Sequence, residues 1–282
     1  AAYARHPLLR AVGIDRTQYA PVGVDQYHRW ACAVPEDFRF LVKAHDELTL
    51  HRFSRHPRHG ARQGALNPHF LDATYARDAV VGPTVEGLGP KLGVILFQFA
   101  AQDLAPAGGA SGFVARLHRF LTSLPHGPRY AVEMRNPEVL GDEYRDALLD
   151  TGVSHCLNAV SGMPTLREQV HVVREAVGPL VVLRWLLPRH LRYEEAYRRF
   201  SPFSSLVEED PHTRRDLVDI LARAEERGRE VMVIVNNKAE GCAPRSIVAL
   251  ARALGSRRDP PSPAASTTAR TSASTPAPTS AR

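Results

Sequence analysis

Leu92-Gly93-Val94-Ile95-Leu96-Phe97 is a run of six residues without a single charged or hydrogen-bonding side chain. In a half-exposed antiparallel strand alternate residues face water, and polar side chains would punctuate such a run. A strand that is apolar on both faces must be covered twice, by an interior on one side and by helices on the other. Similar short runs, rich in Val, Ile, Leu and Phe, recur along the chain. They are Ala11–Ile14, Phe38–Val42, Leu92–Phe99 itself, Tyr130–Met134, His155–Val160, Leu180–Leu186 and Glu230–Val235.

Amphipathic patterns lie between these runs. Phe113, Leu117, Phe120 and Leu121 fall at helical spacing, as do Tyr144, Leu148 and Leu149. Leu217, Ile220, Leu221 and Ala224 repeat the stripe, and Ile247, Leu250 and Leu254 close the series. Strand alternating with helix is the pattern of parallel βαβ units. The expectation is an α/β fold, a TIM-type (β/α) barrel with seven strands visible where a closed barrel has eight. An open doubly wound sheet is the alternative on pattern alone.

The 282 residues accommodate one such barrel, which takes roughly 250. The barrel domain is assigned to residues 1–255. From Ser256 the chain turns to Ser, Thr, Pro and Ala without apolar periodicity, and 256–282 is expected to be a disordered tail. The hydrophobic fraction of 44% and charged fraction of 23% are those of a packed globular protein. No apolar stretch is long enough for a membrane span, and the N-terminus lacks the apolar run of a signal peptide. Cys32, Cys156 and Cys242 form no C-x-x-C pair and read as free thiols, which suits a cytoplasmic location. The net charge of +6 is a weak field once the Arg-bearing tail is set aside.

Two segments interrupt the strand–helix rhythm. One is the His- and Arg-rich stretch 45–69, the other 193–211 with its Glu208-Glu209-Asp210 cluster. Both are expected at the C-terminal face of the barrel, where long loops gather around active sites.

Polar residues at strand C-terminal ends are the natural candidates for chemistry in such a fold. The first run is followed by Asp15 and Arg16, the second by Lys43; the third carries Gln98. The fourth carries Glu133 and ends at Arg135, the fifth Asn158, the sixth Arg184, and the seventh is followed by Asn236 and Asn237. A charge within an apolar strand is costly unless it is paired. Glu133 and Arg135, two apart, share a face. They read either as a bracing ion pair or as a proton-transferring acid beside an anion clamp. Lys43 reads as an anion contact, a desolvated nucleophilic amine, or a salt-bridge partner of Glu133. Glu133 and Lys43 are thus the catalytic candidates. Asp15, Arg16, Gln98, Arg135, Asn158, Arg184, Asn236 and Asn237 are the ligand-binding ones, with the two asparagines equally suited to capping the next helix.

No metal is expected, since His45, His51, His56, His59 and His69 come without ligand spacing or matching carboxylates. No cofactor is expected either. The Gly87-x-Gly89-x-x-x-Gly93 sequence precedes a strand, whereas a dinucleotide-binding turn follows one.

Taken in order, several segments resemble the YecE-like family, domain of unknown function 72. They are Val12-Gly13-Ile14-Asp15-Arg16-Thr17, Phe38-Arg39-Phe40-Leu41-Val42-Lys43, Lys91 through Phe99, Tyr130 through Asn136, and Val235-Asn236-Asn237-Lys238-Ala239-Glu240-Gly241-Cys242-Ala243-Pro244. The resemblance implies a TIM-like barrel and matches Lys43, Gln98, Glu133, Arg135, Arg184 and Asn237 to the family's polar barrel-top set. It also implies an opening strand with a Gly-Thr-Ser-Gly-Trp-like segment that has no counterpart here, so the gap in the barrel is expected at the N-terminus. Where many members have His-Gly after the arginine, this chain has Trp185-Leu186.

The function expected from these residues is an enzyme, or the remnant of one, that binds a small anionic or polyhydroxylated ligand. The alternatives are nucleic-acid association through residues 45–62 and the Arg-bearing tail, and a scaffold without catalysis.

Overall fold

In the computed structural model, residues 3–258 are described. Seven strands, all parallel, pair in the order in which they occur along the chain. They are β1 (Ala11–Ile14), β2 (Arg39–Lys43), β3 (Leu92–Phe99), β4 (Tyr130–Met134), β5 (Ser154–Ala159), β6 (Leu180–Trp185) and β7 (Glu230–Val235). A doubly wound sheet reverses its strand order at a switch point. The unbroken sequential order rules that alternative out, and the sheet curls into a nearly closed TIM-like barrel. β1 and β7 approach within 8 Å between Cα atoms but share no ladder, so the seam of the barrel runs between them. Residues 3–10 hold a short 3₁₀ turn (Tyr3–Arg5) and no strand.

Helices ring the strands. They are α1 (Val24–Cys32), α2 (Ala73–Tyr75), α3 (Gly82–Leu88), α4 (Gly109–Thr122), α5 (Asp142–Thr151), α6 (Leu166–Val173), α7 (Tyr193–Phe200), α8 (Pro211–Glu226) and α9 (Ala243–Arg258). α2 passes into α3 through a π-helical turn (Ala76–Val81). Their starts follow local chemistry. The Thr165 hydroxyl accepts from the Glu168 amide while the Glu168 carboxylate accepts from the Thr165 amide, closing a capping box on α6. Asp210 caps α8, whose first residue is Pro211. α1 and α3 cross closely because Gly87 has no side chain: a Cβ there would lie 2.4 Å from that of Tyr27. The last helix runs to Arg258, three residues past the domain limit read from composition, and 259–282 of the expected tail lie outside the described residues.

The apolar residues divide into two layers. The larger lies between strands and helices, where Phe97, Phe113, Tyr144, Leu148 and Leu217 are fully buried. A smaller one fills the barrel: Leu41, Leu96, Ala131, Cys156, Val182 and Met232 pack together, and the first five have no exposed surface. Side chains alternate along a strand, so residues two further on point inward again, one layer higher. Those residues are Lys43, Gln98, Glu133, Asn158 and Arg184. The barrel therefore has an apolar floor and a polar layer directly above it, at the C-terminal ends of the strands.

Candidate functional site

The polar layer is one connected network. Glu133 on β4 is completely buried and is held from two sides. Arg135 places both Nε and Nη2 2.8 Å from Glu133 Oε1. Arg184 on β6 donates from Nη1 to Glu133 Oε2 and, at 2.8 Å, to Gln98 Oε1 on β3. Burial alone would raise the Glu133 pKa. The Arg184 and Arg135 guanidiniums outweigh burial and bring it to about 2, so the carboxylate is ionised throughout the neutral range.

Lys43, 6% exposed, sits beside this pair. Its Nζ donates to Gln18 Oε1 and lies 3.3 Å from Asp15 Oδ1. Asp15 is thus the direct ionic partner of Lys43, in the place the sequence reading offered to Glu133. The Thr17 hydroxyl lies 2.7 Å from the Lys43 carbonyl and ties the turn after β1 to the end of β2. Burial and the charge of Arg184 press the amine down to about 8, against the opposing pull of Asp15 and Glu133. Three cations, Lys43, Arg135 and Arg184, face two carboxylates here.

Two donors and acceptors in this layer remain unused. Arg184 Nε is buried and makes no hydrogen bond among the described residues, and the same holds for Asn158 Oδ1. Asn158 Nδ2 donates to the Met134 carbonyl at 3.2 Å. Arg184 and the more than half-exposed Asp15 also border a large cavity, about 650 Å³, which follows the β1–β7 seam beneath α9. Asn236 and Asn237 border it too, but their side-chain oxygens are engaged as caps. Asn236 accepts from the Lys238 amide, and Asn237 accepts from Ala243 at the start of α9, both at 2.9 Å. Arg16 is exposed and takes no part in the network.

The sequence reading did not assign Gln18 a role, although it makes the closest contact to the Lys43 amine. Glu240 lies in the last segment that carries the family resemblance and was given no role of its own. It is fully buried and accepts from the Asp210 amide at 2.8 Å and from Arg214 at 2.6 Å, pinning the second long segment to the end of β7. In the first long segment two of the arginines are bound locally. Arg58 pairs with Asp46 at 2.6 Å and stacks over Tyr19; Arg62 pairs with Glu47 and stacks over Phe53. His45 contacts the Tyr75 hydroxyl at 2.8 Å, and His69 stacks on the Tyr75 ring. Among the described residues no group of three or more His, Cys, Asp or Glu is placed to hold a metal ion. No described helix is long and apolar enough to cross a membrane.

Seven sequential parallel strands, an apolar barrel floor and a charged layer at the strand C-terminal ends define a TIM-like α/β barrel protein. Residues 1–270 match the family described as "Protein of unknown function DUF72", and the chain belongs to that family. Its fold is similar to that of a DUF72 family protein from Enterococcus faecalis, with a TM-score of 0.61 at 18% identity over 90% of this chain and 92% of the other. A DUF72 family protein from Thermotoga maritima is similar with a TM-score of 0.54 at 17% identity, over 88% and 86% of the two chains. No curated protein matches the chain.

Proposed function

We propose that this barrel binds a small anionic or polyhydroxylated molecule at its C-terminal mouth, over Lys43, Asp15 and Arg184. The observation that carries the reading is the polar layer itself: three cations against two carboxylates, with the buried Arg184 Nε unpaired. A buried donor without a partner is costly, and a ligand oxygen would relieve it. Glu133 acts in this reading as a fixed anion that orients two guanidiniums. Lys43, whose amine burial presses down to about 8, is better suited to proton exchange near neutral pH than Glu133, held at about 2. Arg184 offers a planar donor edge that matches a carboxylate or phosphate.

Nucleic-acid association is less well supported, because Arg58 and Arg62 of the His/Arg-rich segment already serve Asp46 and Glu47. Titration calorimetry of the protein with oxamate, citrate and inorganic phosphate tests the proposal. Binding of at least one of them, abolished by Arg184→Met, is expected. The reading fails if none binds at roughly millimolar concentration, the weak end of specific affinity.

A further inference from the structure

Three residues of the chain are lysine, against 33 arginines among its 36 basic residues. Two of the three lysines are buried, and they are used differently. Lys91 Nζ donates to the carbonyls of Ala31 and Val34, both at 2.9 Å, and pairs with Glu36 at the same distance. Every proton of that ammonium has an acceptor, which is the pattern of a structural lysine. Lys43 Nζ has Gln18 and the ionic contact to Asp15. One N–H direction is left without a partner among the described residues. Asp15, 3.3 Å from the amine, and Arg184 border the large cavity; Lys43 itself does not line it, so a ligand there would meet the amine only with Asp15 displaced. A guanidinium serves every purely electrostatic purpose and cannot act as a nucleophile at neutral pH; a desolvated amine can.

We propose that Lys43 forms an imine with the carbonyl carbon of a small 2-oxo acid whose carboxylate is held at Arg184. This rests on the reading of the mouth as an anion site and specifies its ligand. Asp15 takes a proton from the ammonium, and the neutral amine adds to the carbonyl carbon. The new C–N bond gives a carbinolamine whose oxygen carries the second amine proton. Asp15 then returns its proton to the hydroxyl, the C–O bond breaks and water leaves. An ammonium and a carbonyl have become an iminium and one water, with charge unchanged. Burial and the charged groups facing the amine set its reactivity: burial, Arg184 and Arg135 lower its pKa to about 8, against Asp15 and Glu133, which favour the charged form. The iminium draws electrons from the neighbouring carbon, the property for which enzymes use such adducts.

The test is reductive trapping of the full chain with pyruvate and sodium cyanoborohydride, followed by peptide mass spectrometry. At pH 7 an amine of pKa about 8 is neutral roughly three hundredfold more often than an ordinary lysine. The reduced adduct is therefore expected on the Lys43 peptide with a rate enriched about that much over the same peptide in a urea-unfolded control. Lys43→Arg is expected to remove the adduct. Should that variant fail to fold, the wild type still decides the matter. Labelling of Lys43 should rise with pH around a midpoint of about 8. A midpoint above 10, the range of ordinary lysines, overturns the proposal. So does an even distribution of label over the three lysines. Oxamate binding without any adduct at Lys43 removes the imine and leaves the anion site standing. Loss of both removes the two together.

Discussion

Arg184 on β6 and Glu133 on β4 meet across β5, the strand between them, which contributes only the neutral Asn158 to the same layer. Their contact lies in the polar layer over an apolar floor, where Glu133 has no exposed surface and Arg184 is almost wholly buried at the edge of the seam cavity. Removing one partner of such a pair leaves the other charged and unpaired. Glu133→Gln is expected to lower the unfolding free energy by about 3 kcal/mol. Urea denaturation at pH 7 measures this, and a loss below about 1 kcal/mol, the range of an exposed pair, contradicts the account.

Lys43 is expected to behave in the opposite way. Its folded-state pKa is lowered from 10.5 to about 8, first by burial and then by Arg184, so the fold disfavours the charged amine. Below pH 8 the amine is charged in both states, and that cost is fully present. Lys43→Met is therefore expected to stabilise the protein at pH 7 by about 1–2 kcal/mol while weakening anion binding. Between pH 8 and 10.5 the unfolded chain holds more protons at this site, so the wild type gains stability as pH rises and the variant lacks that gain. Parallel denaturation curves on either side of this window decide it. A destabilised Met variant at pH 7 would mean that the Asp15 and Gln18 contacts outweigh desolvation.

His155 governs a different pH range. Its ring lies fully buried between the Tyr144 hydroxyl at 2.9 Å and Gln169, and burial lowers its pKa from 6.5 to about 4. The folded protein refuses a proton that the unfolded chain accepts. Stability from this group is complete above pH 6.5 and is lost as pH falls toward 4, amounting to about 3 kcal/mol. Glu133 adds a second loss from 4.5 down to about 2, as its paired carboxylate is protonated. The acid limb should therefore begin near pH 6.5, well above the carboxylate range, and His155→Gln should flatten its upper part. Unfolding midpoints across pH 4–7 that are the same for both proteins would refute this.

The sequence shows the strands almost to the residue, because each is a run that stops where a polar side chain must lie at the barrel mouth. β1, β3, β4 and β7 have the limits read from the runs. β2 begins at Arg39, one residue after the aromatic pattern starts, and β5 begins at Ser154, one residue before its apolar core. The polar layer is legible for the same reason, being the inward position two residues beyond each apolar floor residue. What the runs do not contain is the path of the chain after β1. A 3₁₀ turn (Arg16–Gln18) has three residues per turn, so Asp15 and Gln18 fall on one side, toward Lys43, and Arg16 on the other, in water. Residue types alone favoured Arg16 as a ligand contact. The asparagines after β7 were ambiguous between binding and capping; a 3₁₀ turn (Asn237–Ala239) takes the Asn236 oxygen and the start of α9 that of Asn237.

The seam offers the last prediction. The Arg10 carbonyl accepts from Arg39, and the Asn236 amide donates to Trp185. Along a parallel strand successive residues point their backbone groups to alternate sides. Hence the amides of Ala11 and Gly13 on β1, and of Val231, Val233 and Val235 on β7, face the seam and not a ladder. The half-exposed pattern of both strands, against the full burial of β4, β5 and β6, agrees with this. Exchange at such amides needs only a local opening, whereas ladder amides of central strands need large-scale unfolding. These five amides are expected to exchange at least about a hundredfold faster than those of β4 and β5, a gap of about 3 kcal/mol in opening free energy. Hydrogen exchange followed by NMR distinguishes them residue by residue. Equal protection of Gly13 and Val132 would mean that the barrel is closed by hydrogen bonds between β1 and β7 in solution, and that the cavity along the seam is narrower than 650 Å³.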